Sequence, residues 1–291
     1  MIKIQKNIII EKLFFNAARI STIIVLVVLL AIFLSLVYKA YPAISKFGIN
    51  FLFDTTWDAN IMIFGGLASI YGTIVSTFIA MILATPVAIG IAIFLTEIAP
   101  YKIRNFFSVN IELLAAIPSI VYGMWGFIYF VPLVRSVFGG SGFGLLSGGM
   151  VLAVMVLPFI SSVSRDAMAT TPQVLKESAY ALGATKFDTI KDVVFPYAKA
   201  GIMGSIILAL GRAFGETMAV AFLLGGISKI PSSVTEPATS IPVTLTTQFG
   251  EAMGNEIYES SLFYLALILF VISFISIATA KFVFLRKRES K

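Results

Sequence analysis

The chain alternates long charge-free stretches with short polar islands. One such stretch runs from Ile20 to Tyr38, and another fills the interval between Asp58 and Glu97. A helix crossing a bilayer needs about 20 apolar residues, so each stretch is long enough to span. Reading the remaining stretches in the same way predicts six spans, at about 20–38, 67–95, 111–134, 150–164, 201–227 and 260–280. Residues 1–19 form a basic N-terminal segment, 20–285 the membrane domain, 165–199 a charged loop within it, and 286–291 a basic tail. A signal peptide also begins with basic residues before an apolar core. The first run is longer than the roughly 7–15 residues of such a core and no small-residue cleavage site follows, so it reads as an uncleaved span.

The islands differ in character. Residues 39–58 are polar and aromatic, 139–149 are rich in Gly and Ser, and 228–259 form a mostly acidic polar loop. Pro86, Pro118 and Pro158 fall inside predicted spans two, three and four. Each removes a backbone hydrogen bond that neighbouring helices or water must replace in lipid. They are either ordinary kinks or bends around a solvent pathway.

Composition narrows the function classes. The chain is 58% hydrophobic and 12% charged, with a mean hydropathy of +0.97. Soluble domains carry about 25% charged residues, so one polytopic membrane domain fits and a set of soluble domains does not. There is no Cys and no His. That excludes disulfides, thiol nucleophiles and iron–sulfur clusters, and removes the commonest general base and metal ligand. No nucleophile–base pair, acid pair or metal cluster stands out, so the chain reads as a non-enzyme. The net charge of +6 is unevenly placed. Basic residues concentrate at the N-terminus, near Lys102 and Arg104, in the loop holding Arg165, Lys176, Lys186, Lys191 and Lys199, and in the tail. Under the positive-inside rule these segments and both termini are cytoplasmic. The charge reports orientation in lipid and not a nucleic-acid footprint.

The 165–199 loop is too polar to be lipid-facing. Thr171-Pro172 predicts a helix start, with Thr as N-cap and Pro in the first turn. Gly183 is a natural stop, and Thr185 with Asp188 resembles a capping box opening a second helix toward Phe195, before Pro196. A cytoplasmic helix–turn–helix results. It either docks into a groove on a partner or lies as an amphipathic connector on the membrane surface. Glu177, Ala179, Gly183, Val193, Phe195 and Pro196 resemble the EAA loop of ABC-importer permeases. Ser178, Val193 and Phe195 stand where that family usually has Ala, Ile and Leu. The resemblance implies coupling helices received by a cleft on a cytoplasmic ATPase. No phosphate-binding glycine loop occurs in the chain, so ATP would be used by the partner and no cofactor is bound here.

Two ionisable residues fall inside the fifth predicted span. Each costs about 2.5–3.5 kcal/mol near the bilayer centre on insertion scales. Arg212 and Glu216 are four apart, so a continuous helix would put them on one face as a pair. Gly211 and Gly215 would make a small-residue packing face beside them. The pair either fixes helix packing or serves a pathway for a charged solute. Its surroundings, Gly211 to Val220, together with Glu112 to Gly126, Tyr71-Gly72-Thr73 and Leu95 to Pro100, resemble the PstC-type permeases of phosphate ABC importers. Met218-Ala219-Val220 favours this type over the sister PstA type, while the loops at 136–148 and 228–259 are short for it.

The resemblance implies an all-α, six-span type I ABC-importer (MetI-like) permease in a prokaryotic cytoplasmic membrane. Its implied partners are a PstA-type sister permease, two copies of a PstB-type ATPase and a PstS-type extracytoplasmic phosphate-binding protein. It also implies that Arg212 and Glu216 lie on the phosphate pathway. Alternatives are a permease for sulfate or molybdate, or an ion-coupled carrier with Glu216 as the coupling acid. Glu112 is expected at the membrane edge, capping span three, and Tyr122 and Trp125 to be packing aromatics.

Overall fold

A computed structural model describes residues 2–285, with side chains over 11–282. The basic tail at 286–291 and the side chains of Lys3 and Lys6 lie outside the described residues. The first helix, α1 (Ile2–Phe47), is 46 residues long. At 1.5 Å per residue it rises about 69 Å, more than twice the roughly 30 Å hydrocarbon core. The apolar run at 20–38 therefore marks the part of α1 suited to lipid, not the ends of the helix. A short hairpin follows, β1 (Trp57–Asp58) antiparallel to β2 (Ile63–Phe64), with Trp57 opposite Phe64. Next come α2 (Leu67–Ile93), continued by a π-helical turn at Phe94–Ile98, then α3 (Tyr101–Ala116) and α4 (Ser119–Trp125). A second π-helical turn, Gly126–Phe130, leads into α5 (Val131–Phe138), and α6 (Leu145–Ala169) follows.

The charged loop folds as α7 (Gln173–Ala181) and α8 (Lys186–Thr189). A third π-helical turn, Ile190–Val194, carries α8 directly into α9 (Phe195–Phe214). The chain ends with α10 (Met218–Leu224), α11 (Ile241–Ala252) and α12 (Glu256–Leu285). Among the described residues, six stretches are long and apolar enough to cross a membrane: Glu11–Leu52, Leu67–Ile98, Ser119–Phe138, Leu145–Ala169, Lys186–Phe214 and Glu256–Phe282. The architecture is all-α with six spans.

Several boundaries differ from those expected. The third span does not run through Pro118. Ile117 and Pro118 are extended, with ψ of 129° and 138°, because a proline ring disfavours helical backbone at the residue before it. Pro86 and Pro158 stay within α2 and α6. Pro196 does not end a helix either. The π-helical turn immediately before it shifts the hydrogen-bond ladder, which accommodates a residue lacking an N–H. The fifth span is not continuous over 201–227, since α9 stops at Phe214 and α10 begins at Met218. The acidic loop at 228–259 contains α11.

α6 is the centre of the bundle. Its buried face, including Val151, Leu152, Val156 and Ile160, packs with residues of α2, α9 and α10. α2 meets it along Ala80, Ala84 and Ala88, which recur every four residues and are fully buried. In lipid, helix association rests on close packing, and such small residues let backbones approach. A separate aromatic cluster lies at the hairpin end of α2, away from the charged loop. There Phe51 stacks on Tyr264 at 4.4 Å and Phe64 on Tyr258 at 4.9 Å. Both Trp57 and Tyr258 donate hydrogen bonds to Gln248 Oε1, which tie the hairpin to α11 and α12. A buried hydroxyl cluster joins α2 to the start of α11. Ser69 and Thr239 each bond Thr244, at 2.9 and 3.0 Å, and the Ile241 N–H donates to Thr73 Oγ1 at 2.8 Å.

Candidate functional site: a coupling loop and an intramembrane arginine

The charged loop projects from the bundle. α7 has no buried residue. Leu182 at its end is 89% exposed and Phe187 on α8 is 71% exposed, an unusual display for apolar side chains of this size. Glu177 is exposed beside them and Ala179 is half-buried. Gly183 turns the chain between the helices with φ +87°, a left-handed conformation that costs an L-residue about 1–2 kcal/mol. The Gly183 and Ala184 N–H groups donate back to Tyr180 and Ala179 carbonyls at 2.9 and 3.0 Å, closing α7. The capping box is present in full. The Asp188 N–H donates to Thr185 Oγ1 at 3.2 Å, and the Thr185 N–H donates to Asp188 Oδ2 at 3.1 Å.

One expected cap is absent. Thr171 makes no capping hydrogen bond and its buried hydroxyl has no partner, while Pro172 occupies the cap position of α7 in an extended conformation. Pro196 is exposed in the first turn of α9.

Arg212 and Glu216 do not share a helix face. α9 ends at Phe214, Gly215 makes the break, and among the described residues the two make no ion pair. The break separates them by chemistry. Arg212 is in the last turn of α9, where the carbonyl end of the helix favours a cation. Glu216 precedes α10, and its Oε1 accepts the Ala219 N–H at 3.2 Å, satisfying a donor that a helix start leaves free.

Arg212 is exposed on the surface of this subunit, with its guanidinium 4.2 Å from the ring centre of Phe159. Phe159 lies midway along the span α6, so the cation sits at mid-depth. Among the described residues its forked donors face no acidic partner, and they suit an oxyanion. Gly211 points elsewhere, since a Cβ there would touch Ile277 of α12 at 3.2 Å. Tyr122 is buried and donates to the Leu114 carbonyl at 2.8 Å. Trp125 packs with Tyr129 and Phe130.

Two polar contacts near the charged loop were not foreseen. Glu112 is not a cap for a third span; from α3 it meets Arg165 of α6 at 2.9 Å. Lys176 of α7 meets Glu97, at the end of the second span, at 2.5 Å. Glu97 carried one legible signal, a carboxylate closing a long charge-free run, but nothing local to it names a partner 79 residues away.

A family model described as "Binding-protein-dependent transport system inner membrane component" matches residues 88–291. The chain is 44% identical to the phosphate transport system permease protein PstC of Mesorhizobium japonicum, over 95% of this chain and 90% of that protein. It is 41% identical to the PstC protein of Pasteurella multocida, over 97% and 95%. A probable PstC protein of Methanocaldococcus jannaschii is 34% identical over 82% of each. Among solved structures, an inward-facing form of the MetNI methionine ABC transporter superposes with a TM-score of 0.55 at 20% identity, covering 72% of this chain and 92% of that one. At that identity the likeness bears on the fold alone, and the fold is that of a type I importer permease.

Proposed function

The chain belongs to the family of binding-protein-dependent transport system inner membrane components, and from that premise we propose that it is the permease subunit through which an ATP-driven importer carries inorganic phosphate across the inner membrane. The observation that carries this reading is likeness over nearly the whole chain to permeases named for phosphate transport. The geometry supplies a fitting chemistry. At mid-depth Arg212 offers a cation that has no acidic partner among the described residues, so it attracts a tetrahedral oxyanion through paired N–H donors. Glu216, four residues on and bonded to the start of α10, keeps a negative charge near the path and limits trapping of the anion.

This subunit does no covalent chemistry. ATP is used by a separate ATPase, two copies of a PstB-type protein. A PstA-type sister permease completes the path, and a PstS-type binding protein delivers phosphate from outside. Both termini and the charged loop face the cytoplasm in this reading, as the distribution of Lys and Arg favours. Glu177, Ala179, Gly183 and Pro196 belong to the loop that the ATPase grips. ATP binding closes the ATPase pair, its clefts move α7 and α8, and the spans turn from inward- to outward-facing.

The test is radiolabelled phosphate uptake in cells without their own high-affinity importer, supplied with this chain and its three partners. Uptake should require the ATPase. Arg212→Gln and Glu177→Arg should each reduce it at least about tenfold, the loss expected when one charge-assisted contact of about 1.5–3 kcal/mol disappears. Unchanged uptake in an assembled Arg212→Gln complex refutes the pathway assignment.

A further inference from the structure

The end of the second span is gripped by two cations from other elements. Lys176 Nζ of α7 lies 2.5 Å from Glu97 Oε1, and the two side chains are 12% and 8% exposed. Arg104 of α3 donates to the Thr96 carbonyl at 2.5 Å. Both targets lie in the π-helical turn Phe94–Ile98. Such a turn is a local departure from the regular ladder, of the kind found where helices work. On the far side of the charged loop, the chain re-enters the membrane through another π-helical turn, Ile190–Val194.

α7 otherwise packs on α8 and on the π-helical turn Ile190–Val194 that leads into α9. It buries no residue. Ser178 bonds only within its own helix. Among the described residues, Lys176 to Glu97 is the one hydrogen-bonded side-chain link between α7 and a membrane span. A shielded ion pair resists both compression and separation, because pulling it apart leaves two largely desolvated charges without partners.

We propose that the Lys176–Glu97 pair is the strut that transmits movement of α7 to the second span, so that the span follows the ATPase in both directions of its cycle. Glu97 and Lys176 are then positioning residues for transport, touching neither phosphate nor ATP. This inference rests on the coupling-loop reading above.

The experiment uses the complete complex, this chain with its sister permease, ATPase and binding protein, in proteoliposomes. It measures phosphate imported per ATP hydrolysed. Glu97→Gln and Lys176→Gln should each assemble and hydrolyse ATP, with the transport ratio reduced at least about tenfold, since each leaves a buried charge without its partner. The exchanged pair, Glu97→Lys with Lys176→Glu, should recover the ratio to within about threefold, the non-additivity expected of partners in direct contact. A wild-type ratio in either single variant overturns the strut. So does an exchanged pair that assembles without recovering coupling. Failure of the singles and the exchange alike to assemble assigns the pair to folding and also overturns it. Loss of coupling in Glu177→Arg with none in Glu97→Gln sinks the strut and leaves the coupling loop standing. Uptake by the unaltered complex that ignores the ATPase sinks the coupling loop itself.

Discussion

Adding one methyl group at Gly72 probes how the segment before α11 is seated on the second span. An alanine Cβ there would lie 1.7 Å from the Thr239 carbonyl oxygen and 2.9 Å from its carbon. Ordinary carbon–oxygen contacts sit at about 3.3–3.6 Å, so the overlap is about 1.6 Å. Both offending atoms are backbone, and no rotamer relieves them. The segment at 239–241 must move off α2 by a comparable distance. That motion takes the Ile241 N–H out of reach of Thr73 Oγ1, now 2.8 Å away. Overpacking costs about 1–3 kcal/mol, and a buried donor left without a partner about 1–3 kcal/mol more. The sum is roughly 2–6 kcal/mol, and at about 2–4 °C per kcal/mol it lowers the apparent melting temperature by roughly 4–24 °C.

The assay is the fraction of monodisperse protein surviving a heat series in detergent. Gly90→Ala serves as control on the same helix, because no heavy atom lies within 4 Å of the new Cβ. It should leave the midpoint unchanged or raise it, as Ala is the better helix former by about 1 kcal/mol. Thr73→Val isolates the hydrogen-bond share and should fall between the two. A midpoint for Gly72→Ala within a degree or two of the parent refutes the close approach. Equal losses in Gly72→Ala and Gly90→Ala refute it as well.

Thr185→Ala removes one half of the capping box and should destabilise the start of α8 by about 1 kcal/mol, read as several-fold weaker retention of the ATPase on the immobilised permease pair. Glu216→Gln keeps an oxygen able to accept the Ala219 N–H while removing the charge, so phosphate uptake should fall with the melting midpoint unmoved. Glu216→Ala loses both functions and should lower both readouts, the cap share being about 1 kcal/mol.

What was legible in the sequence follows from the range over which the forces act. The capping box of Thr185 and Asp188 is a contact between residues three apart, and it is present in full. The six spans rest on the transfer of apolar side chains to lipid, a sum that no partner alters. The helix ends rest on neither. Charges at 19 and 39 bracket the apolar run of the first span, yet α1 continues past both, because a helix outside lipid still satisfies its own backbone hydrogen bonds. Pro118 broke its helix and Pro86 and Pro158 did not, so the residue type alone does not fix where a helix ends.

The same distinction explains the candidate site. Four-residue spacing made Arg212 and Glu216 a pair only if the helix continued between them. Gly215 was read as a small packing face and instead ends α9. A glycine is compatible with both roles, and its own sequence neighbourhood does not choose. The break turns a self-neutralised pair into two separately stabilised charges, one at a helix end and one bonded to a helix start. Splitting it leaves the cation available at mid-depth, while the bond from Glu216 to Ala219 holds the carboxylate in place. Arg212 and Glu216 were thus visible as costly exceptions to the apolar pattern, and their arrangement was not, because it depends on where the backbone stops.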